Sequence, residues 1–127
     1  MSTPSEHSIK VAVTTEYLPD QSDPDVRRYA FAYHITLTNT GSVAAKLLTR
    51  HWIITDGGGQ VEEVRGDGVV GEQPVLAPGE QYRYTSGAVL ETPVGSMRGS
   101  YRFASADGQS FSVLIPVFTL AVPRTLN

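Results

Sequence analysis

The sequence predicts an all-β protein: a single immunoglobulin-like or fibronectin type III-like antiparallel β-sandwich of seven or eight strands. Apolar and polar residues alternate with a period of two along most of the chain, and no stretch carries the 3.6-residue apolar stripe of a helix. Turn signals separate the candidate strands at spacings of roughly 8–15 residues. The 127 residues include 12 glycines and 8 prolines, which indicates many turns within one domain.

The first two candidate strands flank a proline-containing loop. Apolar side chains recur on one face of residues 9–17, and the segment YLPDQSDPD at 17–25 then predicts a loop because it carries two prolines. The segment RYAFAYHITLTNTG at 28–41 is the clearest strand. Its aromatic and aliphatic side chains point one way and its small or polar ones point the other. The segment NTGS at 39–42 ends it as a turn.

The third candidate strand, AKLLTRHWIITD at 45–56, carries the only tryptophan of the chain. Trp52 is expected to fill the core between two sheets, since a large aromatic residue is common there in sandwich folds. Asp56 and the three glycines at 57–59 predict a tight connection to the next strand, QVEEVR at 60–65. The two strands should therefore form a hairpin.

The C-terminal half continues the same pattern. The segment VLAPGE at 75–80 predicts a turn because Pro78 fixes φ and Gly79 permits a positive φ. The next strand is QYRYTSG at 81–87, whose Tyr82 or Tyr84 is expected to make a tyrosine-corner contact. The segments at 96–105 and 110–120 predict a hairpin closed by Asp107-Gly108. Pro116 cannot donate to a ladder, so an edge strand or a bulge is expected there.

Composition excludes several classes of function. The formal net charge is -3, and no basic cluster is larger than Arg27-Arg28, so nucleic-acid binding is not expected. The chain has no cysteine, which excludes thiolate metal sites, thiol catalysis and disulfides. This composition fits a cytoplasmic protein.

Membrane insertion is not expected either. The most apolar stretch, residues 113–122, is half the ~20 residues that a membrane helix needs, and Pro116 interrupts it. The N-terminal segment MSTPSEHSIK lacks the apolar core of a signal peptide. We expect one domain over residues 1–127, with flexible ends at 1–7 and 124–127.

The segment VRGDGVVGEQP at 64–74 has the G-x-G-x-x-G spacing of dinucleotide-binding folds, with glycines at 66, 68 and 71. In those folds the glycines are followed by a helix whose N-terminus holds pyrophosphate. Pro74 and Pro78 prevent such a helix here. Five acidic residues and one basic residue between Val61 and Glu80 would also repel a phosphate. The glycines are therefore expected to shape a tight loop, with phosphate binding by a nest of backbone amides as the open alternative.

No other group of residues predicts catalysis or metal binding. The three histidines, at positions 7, 34 and 51, are not spaced as a local metal pair, and His7 is expected to be solvated in the N-terminal tail. The aspartates at 20–25 could hold a hard cation, but they lack the glycine and the terminal glutamate of an EF-hand calcium loop. They and the second acidic cluster, at 62–72, are expected to be solvated. No G-x-S-x-G segment marks a hydrolase nucleophile. We expect no catalytic residue, no metal site and no cofactor.

Six segments together resemble one known family, and they run in that family's order from about residue 8 to Pro123. They are YLPDQSDPD, RYAFAYHITLTNTG, LLTRHWIITD, VRGDGVVGEQPVLAPGE, YTSGAVLETPVGSMRGSY and IPVFTLAVP. The chain is similar to the ApaG family, also called CorD. The resemblance implies a fibronectin type III-like sandwich in a small bacterial cytosolic protein associated with cobalt tolerance and magnesium efflux. Similar domains occur in a eukaryotic F-box ubiquitin ligase subunit and in a polymerase-delta-interacting protein, where they look like protein-interaction modules.

The resemblance also directs attention to the glycine segment, where a pyrophosphate role has been suggested in the family. The candidate ligand- or partner-binding loop consists of Gly66, Asp67, Gly68, Val69, Val70 and Gly71. The leading hypothesis is a non-enzymatic module that binds another protein, with Val69 and Val70 exposed as apolar anchors. The alternative is weak binding of a divalent cation or a nucleotide polyphosphate at this loop. A hydrolase with an unrecognised site is a third hypothesis, and the oligomeric state stays open.

Overall fold

The computed structural model describes residues 6–123, which form two antiparallel sheets packed face to face as a sandwich. The strands in this range are β1 (Ile9–Tyr17), β2 (Tyr29–Asn39), β3 (Ala45–Asp56), β4 (Val61–Asp67), β5 (Val75–Leu76), β6 (Gln81–Leu90), β7 (Val94–Ser105) and β8 (Ser110–Ala121). Two single-turn 3₁₀ helices, Pro19–Gln21 and Pro24–Val26, lie in the predicted loop between β1 and β2. The predicted fold class is confirmed.

The two sheets differ in size. The smaller sheet has the order β1-β2-β6, and the larger sheet has the order β4-β3-β7-β8, with β5 pairing additionally with β3. All of these pairings are antiparallel. Strand β8 is one edge of the larger sheet, and β4 and β5 share the other.

Strand β3 pairs with β4 and β5 along the same edge. Its residues Thr49–Thr55 pair with β4, whereas Ala45 and Lys46 pair with β5. The register of β3 with β7 shifts at Leu48, between these two regions. Strands β4 and β5 therefore form one interrupted edge of the larger sheet. Residues 68–74 leave the sheet in the gap between these two strands, next to the register shift in β3.

The core lies between the sheets, where alternate residues of each strand point inward. Trp52 is 2% exposed, as expected, and its ring makes edge-to-face contacts with Tyr33 at 5.3 Å, Phe118 at 5.8 Å and Tyr101 at 6.3 Å between centroids. Aromatic pairs of this kind each contribute about 0.5–1.5 kcal/mol beyond the area they bury. The tryptophan thus connects β2, β3, β7 and β8.

A pair of tyrosines forms a polar contact inside the sandwich. The hydroxyl groups of Tyr84 on β6 and Tyr101 on β7 form a hydrogen bond across the two sheets. Burial raises the pKa of both phenols because it removes water from around the charged form. The expectation of a tyrosine-corner contact is wrong for Tyr84, whose hydroxyl bonds a side chain of the facing sheet instead.

The hairpin of β7 and β8 confirms the expectations for Asp107-Gly108 and for Pro116. The carboxylate of Asp107 accepts hydrogen bonds from the Ser105 hydroxyl and from the backbone N–H of Gln109, and these bonds lower its pKa, the serine contributing most. The ladder between β7 and β8 shifts register near Pro116, which lies on an edge strand. An edge position and a register shift both accommodate proline, which cannot donate a backbone hydrogen bond.

The expected flexible ends lie largely outside the described residues, since 1–5 and 124–127 are not described. His7 is described, and the expectation that it is solvated is wrong: its ring lies 5.1 Å from that of Phe111, and Nε2 is 3.0 Å from Asp107 Oδ2. Within residues 6–123 there is no helix with the length and apolar character required to cross a membrane.

Candidate functional site

The first glycine of the candidate loop gives room to an arginine. Gly66 on β4 lies opposite Arg50 on β3, and a Cβ atom at Gly66 would come within 2.8 Å of the guanidinium carbon and of both terminal nitrogens. Arg50 Nη1 donates to the carbonyls of Asp67 and Gly68 at 2.9 and 3.0 Å. The guanidinium thus covers Gly66 and holds the backbone at the point where the chain leaves β4.

The second glycine makes the chain turn away from the sheet. Gly68 has a φ of +63°, and a Cβ atom there would lie 2.3 Å from the carbonyl oxygen of Glu72. Its amide donates to the Leu48 carbonyl at 2.8 Å, and Gln73 Nε2 donates to the same carbonyl at 2.9 Å. The base of the loop is thereby attached to β3 at the position where that strand is irregular.

The third glycine completes a two-residue turn. The backbones of Val69 and Glu72 exchange hydrogen bonds in both directions at 2.8 and 2.9 Å. The two residues between them, Val70 and Gly71, have φ values of +48° and +79°. Positive φ at both central residues is the type I′ pattern, in which asparagine and glycine are preferred. A β-branched residue in this conformation is a rare outlier.

The two valines of the loop have opposite environments. Val69 is 0% exposed and belongs to the core, whereas Val70 is 62% exposed at the tip of the turn. The expectation that both are exposed is therefore wrong for Val69, because the turn directs neighbouring side chains to opposite sides. Val69 fixes the turn to the sandwich, and Val70 alone is available as an apolar anchor.

Most backbone donors at the base of the turn are already used. The amides of Gly68, Val69 and Glu72 donate to carbonyls of the chain itself. A nest that binds phosphate needs several converging amides that are free to donate. These three amides could bind phosphate only after losing their present partners.

Positive side chains do lie beside the loop. A shallow depression of about 360 Å³ is lined by Thr49, Arg50, His51, Arg65, Gly66 and Asp67. The sequence reveals only one base near the glycines, Arg65, because Arg50 comes from the preceding strand. The register of the β3–β4 hairpin could have revealed it: pairing Thr55 with Val61 after the glycine turn puts Arg50 opposite Gly66. The depression therefore offers two guanidinium groups at a place where the local sequence predicts repulsion of a phosphate.

Each histidine has a carboxylate close to its Nε2 atom. His7 is 3.0 Å from Asp107, His34 is 3.3 Å from Glu16 and His51 is 3.2 Å from Glu63. Within residues 6–123, one group of three residues brings potential metal ligands together: Glu6, His7 and Asp107, whose ligand atoms lie within 4.8 Å of one another. Sequence reasoning missed this group because Asp107 is about a hundred positions away from Glu6 and His7.

The predicted acidic clusters do not form such a group within the described residues. Neither the aspartates at 20–25 nor the acids at 62–72 bring three ligand atoms together. Asp23 instead forms a β-bridge with Arg28 across the short loop. Backbone hydrogen bonds and 3₁₀ turns account for the loop's shape.

Comparisons with known proteins agree with this architecture. The sequence model of a family described as ApaG domain matches residues 19–105. A protein named Protein ApaG from Aromatoleum aromaticum is 61% identical over 127 residues, which cover 100% of both chains. Another from Nitrosomonas europaea is 61% identical over 122 residues, with 96% of each chain covered. A crystal structure of a protein from Bordetella pertussis named ApaA superposes with a TM-score of 0.93 at 53% identity, covering 97% of this chain and 100% of that one.

Proposed function

The chain belongs to the ApaG domain family, and from that premise we propose that it is a small non-enzymatic module that binds another protein through the turn at residues 68–72. The observation that carries the proposal is Val70. Its apolar side chain is 62% exposed and its backbone is held at a φ of +48°, although glycine or asparagine would be more stable there. Strained residues of this kind occur preferentially at functional sites.

The surroundings of Val70 suit a contact surface. Val69 anchors the turn in the core, and Arg50 ties its base to β3 through two carbonyls. A rigid turn loses little conformational entropy on binding, so one exposed aliphatic side chain at its tip can contribute useful affinity. This preorganisation supports recognition, because the side chain exposed at the tip is aliphatic.

A pull-down from a bacterial lysate tests the proposal. We expect Val70→Asp to remove at least one specific partner, because a carboxylate would have to be desolvated at the apolar contact. Val26→Asp is the matched control, since Val26 is a valine of similar exposure, 67%, in the loop between β1 and β2. If both variants retain the wild-type partners while folding normally, the turn is not the interface.

A second candidate function is binding of a nucleotide polyphosphate or a divalent cation beside the same loop. The observation that favours it is the depression lined by Arg50 and Arg65, which supplies cationic side chains next to Gly66 and Asp67. Guanidinium groups bind phosphate oxygens in bidentate fashion. A cation bound by nearby carboxylates would add positive charge at the same place.

Calorimetry distinguishes this second candidate. We expect diadenosine tetraphosphate to bind more tightly with magnesium or cobalt than alone, and Arg65→Gln to weaken it. Arg83→Gln on the exposed face of the smaller sheet is the control. Heats equal to dilution at high ligand concentration, with and without the metals, would remove this candidate and with it a direct role in cobalt or magnesium handling.

The proposed module acts in the cytoplasm. A chain without cysteine is compatible with a reducing compartment. Cell fractionation with an antibody against the untagged protein checks this assignment, and recovery of the protein from a membrane or periplasmic fraction would contradict it.

A further inference from the structure

The outward face of the larger sheet carries an apolar patch at its β8 edge. Leu114 and Val117 are 79% and 64% exposed, although both belong to a strand whose other side is in the core. They line a depression of about 390 Å³ together with Ile53 and Arg98, among others. Exposed aliphatic side chains grouped on a rigid sheet commonly mark a contact with another molecule.

The same face is positively charged, unlike the rest of the chain. Alternation along the strands directs four cations and two carboxylates outward: Lys46, Arg65, Arg98 and Arg102, with Glu63 and Asp67. The whole chain has a net charge of -3. Arg98 and Arg65 form no hydrogen bond or ion pair with another side chain in residues 6–123. Both guanidinium groups are therefore available to a carboxylate of a partner.

The register of the sheet gives the spacing between the apolar and cationic groups. Leu114, Ser100, His51 and Arg65 lie opposite one another on β8, β7, β3 and β4 and form one row across the sheet. Three strand spacings separate the two ends of this row, which corresponds to about 14 Å. An extended chain covers that distance in about four residues.

These observations select the kind of partner. A second copy placed face to face would oppose two surfaces that each carry more cations than carboxylates, which is unfavourable. Addition of a strand along the β8 edge is opposed by Pro116 and by the register shift beside it. A segment with an aliphatic residue and carboxylates complements both the exposed leucine and the free arginines.

We infer that the outward face of the larger sheet binds an extended acidic segment of a partner protein, with an aliphatic side chain against Leu114 and Val117 and carboxylates against Arg98 and Arg65. The inference rests on the proposed role as a protein-binding module, but it concerns a different surface from the turn at Val70. The partner segment should carry an acidic residue about four positions from its aliphatic residue, because of the 14 Å row described above.

Selection from a random heptapeptide library displayed on phage tests this inference with the intact chain. We expect enriched peptides to combine an aliphatic residue with aspartate or glutamate at that spacing. Arg98→Glu and Leu114→Ser should each reduce their recovery about tenfold. Arg83→Glu, an equal change of charge on the exposed face of the smaller sheet, should leave recovery unchanged. Thermal melting of each variant verifies that it is folded.

Titration of the most enriched peptide, made synthetically, then locates its site by amide chemical shifts. Shifts centred on Ile53, Arg98 and Leu114 support the inference, whereas shifts centred on Val70 overturn it. Failure to enrich any peptide, or equal losses with Arg83→Glu, also overturns it, as does displacement of the peptide by an oligonucleotide. A mass above that of a monomer that falls with Leu114→Ser would assign the patch to self-association instead.

The lysate pull-down separates this inference from the proposed function. If Val70→Asp changes the set of partners and Arg98→Glu and Leu114→Ser do not, the proposed function stands and the acidic-segment site fails. If Arg98→Glu and Leu114→Ser alone remove partners, the module binds proteins through the sheet and not through the turn. If none of the three changes the set, both proposals fail.

Discussion

Replacing Val70 with asparagine should make the protein more stable and, on the proposed function, less able to bind its partner. A residue other than glycine costs about 1–2 kcal/mol in the left-handed region, and asparagine tolerates it better than a β-branched residue does. Val70 has a φ of +48° and is 62% exposed. Replacing it therefore loses less than about 1 kcal/mol of the stabilisation that comes from buried apolar surface. We expect a net gain of about 0.5–1 kcal/mol in the free energy of unfolding.

Urea denaturation and thermal melting measure this gain. For a chain of this length it corresponds to a rise in melting temperature of about 2–4 °C. Val70→Thr is the matched control, because threonine keeps the β-branch and should show no gain. The reasoning is refuted if Val70→Asn melts no higher than Val70→Thr. A pull-down with the same two variants then shows whether stability and partner binding change in opposite directions, as expected for a strained contact residue.

Other substitutions probe how the loop and the β7–β8 hairpin are held. In denaturation experiments, Gly68→Ala should lower the free energy of unfolding by more than about 2 kcal/mol, because the added methyl group would meet a backbone carbonyl. Gly71→Ala should lower it by only about 1 kcal/mol, because there is open space around Gly71. Gly66→Ala should cost about 1–2 kcal/mol by displacing the Arg50 guanidinium, and a double-mutant cycle with Arg50→Ala should be non-additive. The lowered pKa of Asp107 stabilises the fold above its ordinary value of 3.8, and this stabilisation is lost as the pH falls through the folded-state pKa. The melting temperature of Asp107→Asn should therefore be below that of the wild type at neutral pH and converge with it in acid.

Most of the fold could be predicted from the sequence because strands and turns are marked by residues that are close together in the chain. Period-two alternation located the long strands, since one face of each must be buried. Turn residues such as those at 57–59 and 78–79 located the connections. Pro116 indicated an irregular edge strand because proline has no backbone N–H to donate to a ladder. The pairing of β5 with β3 was not predictable in this way, as two residues show no periodicity and their partner lies about thirty positions away.

The candidate site was less predictable because it depends on contacts between strands. Val69 and Val70 are equally apolar in the sequence, and only the turn geometry places one in the core and the other outside. The His7–Asp107 contact joins residues a hundred positions apart, and no pattern in the sequence connects them.

The G-x-G-x-x-G spacing itself follows from the end of a strand and the length of a turn. Gly66 is the last inward-facing position of β4 and must leave room for Arg50. Gly68, two residues later, is where pairing with β3 stops and the chain turns outward at positive φ. A two-residue turn then starts after Val69, so its second central residue, which also needs positive φ, falls three positions after Gly68, at Gly71. The motif thus arises here from three separate constraints on the backbone, none of which involves a phosphate.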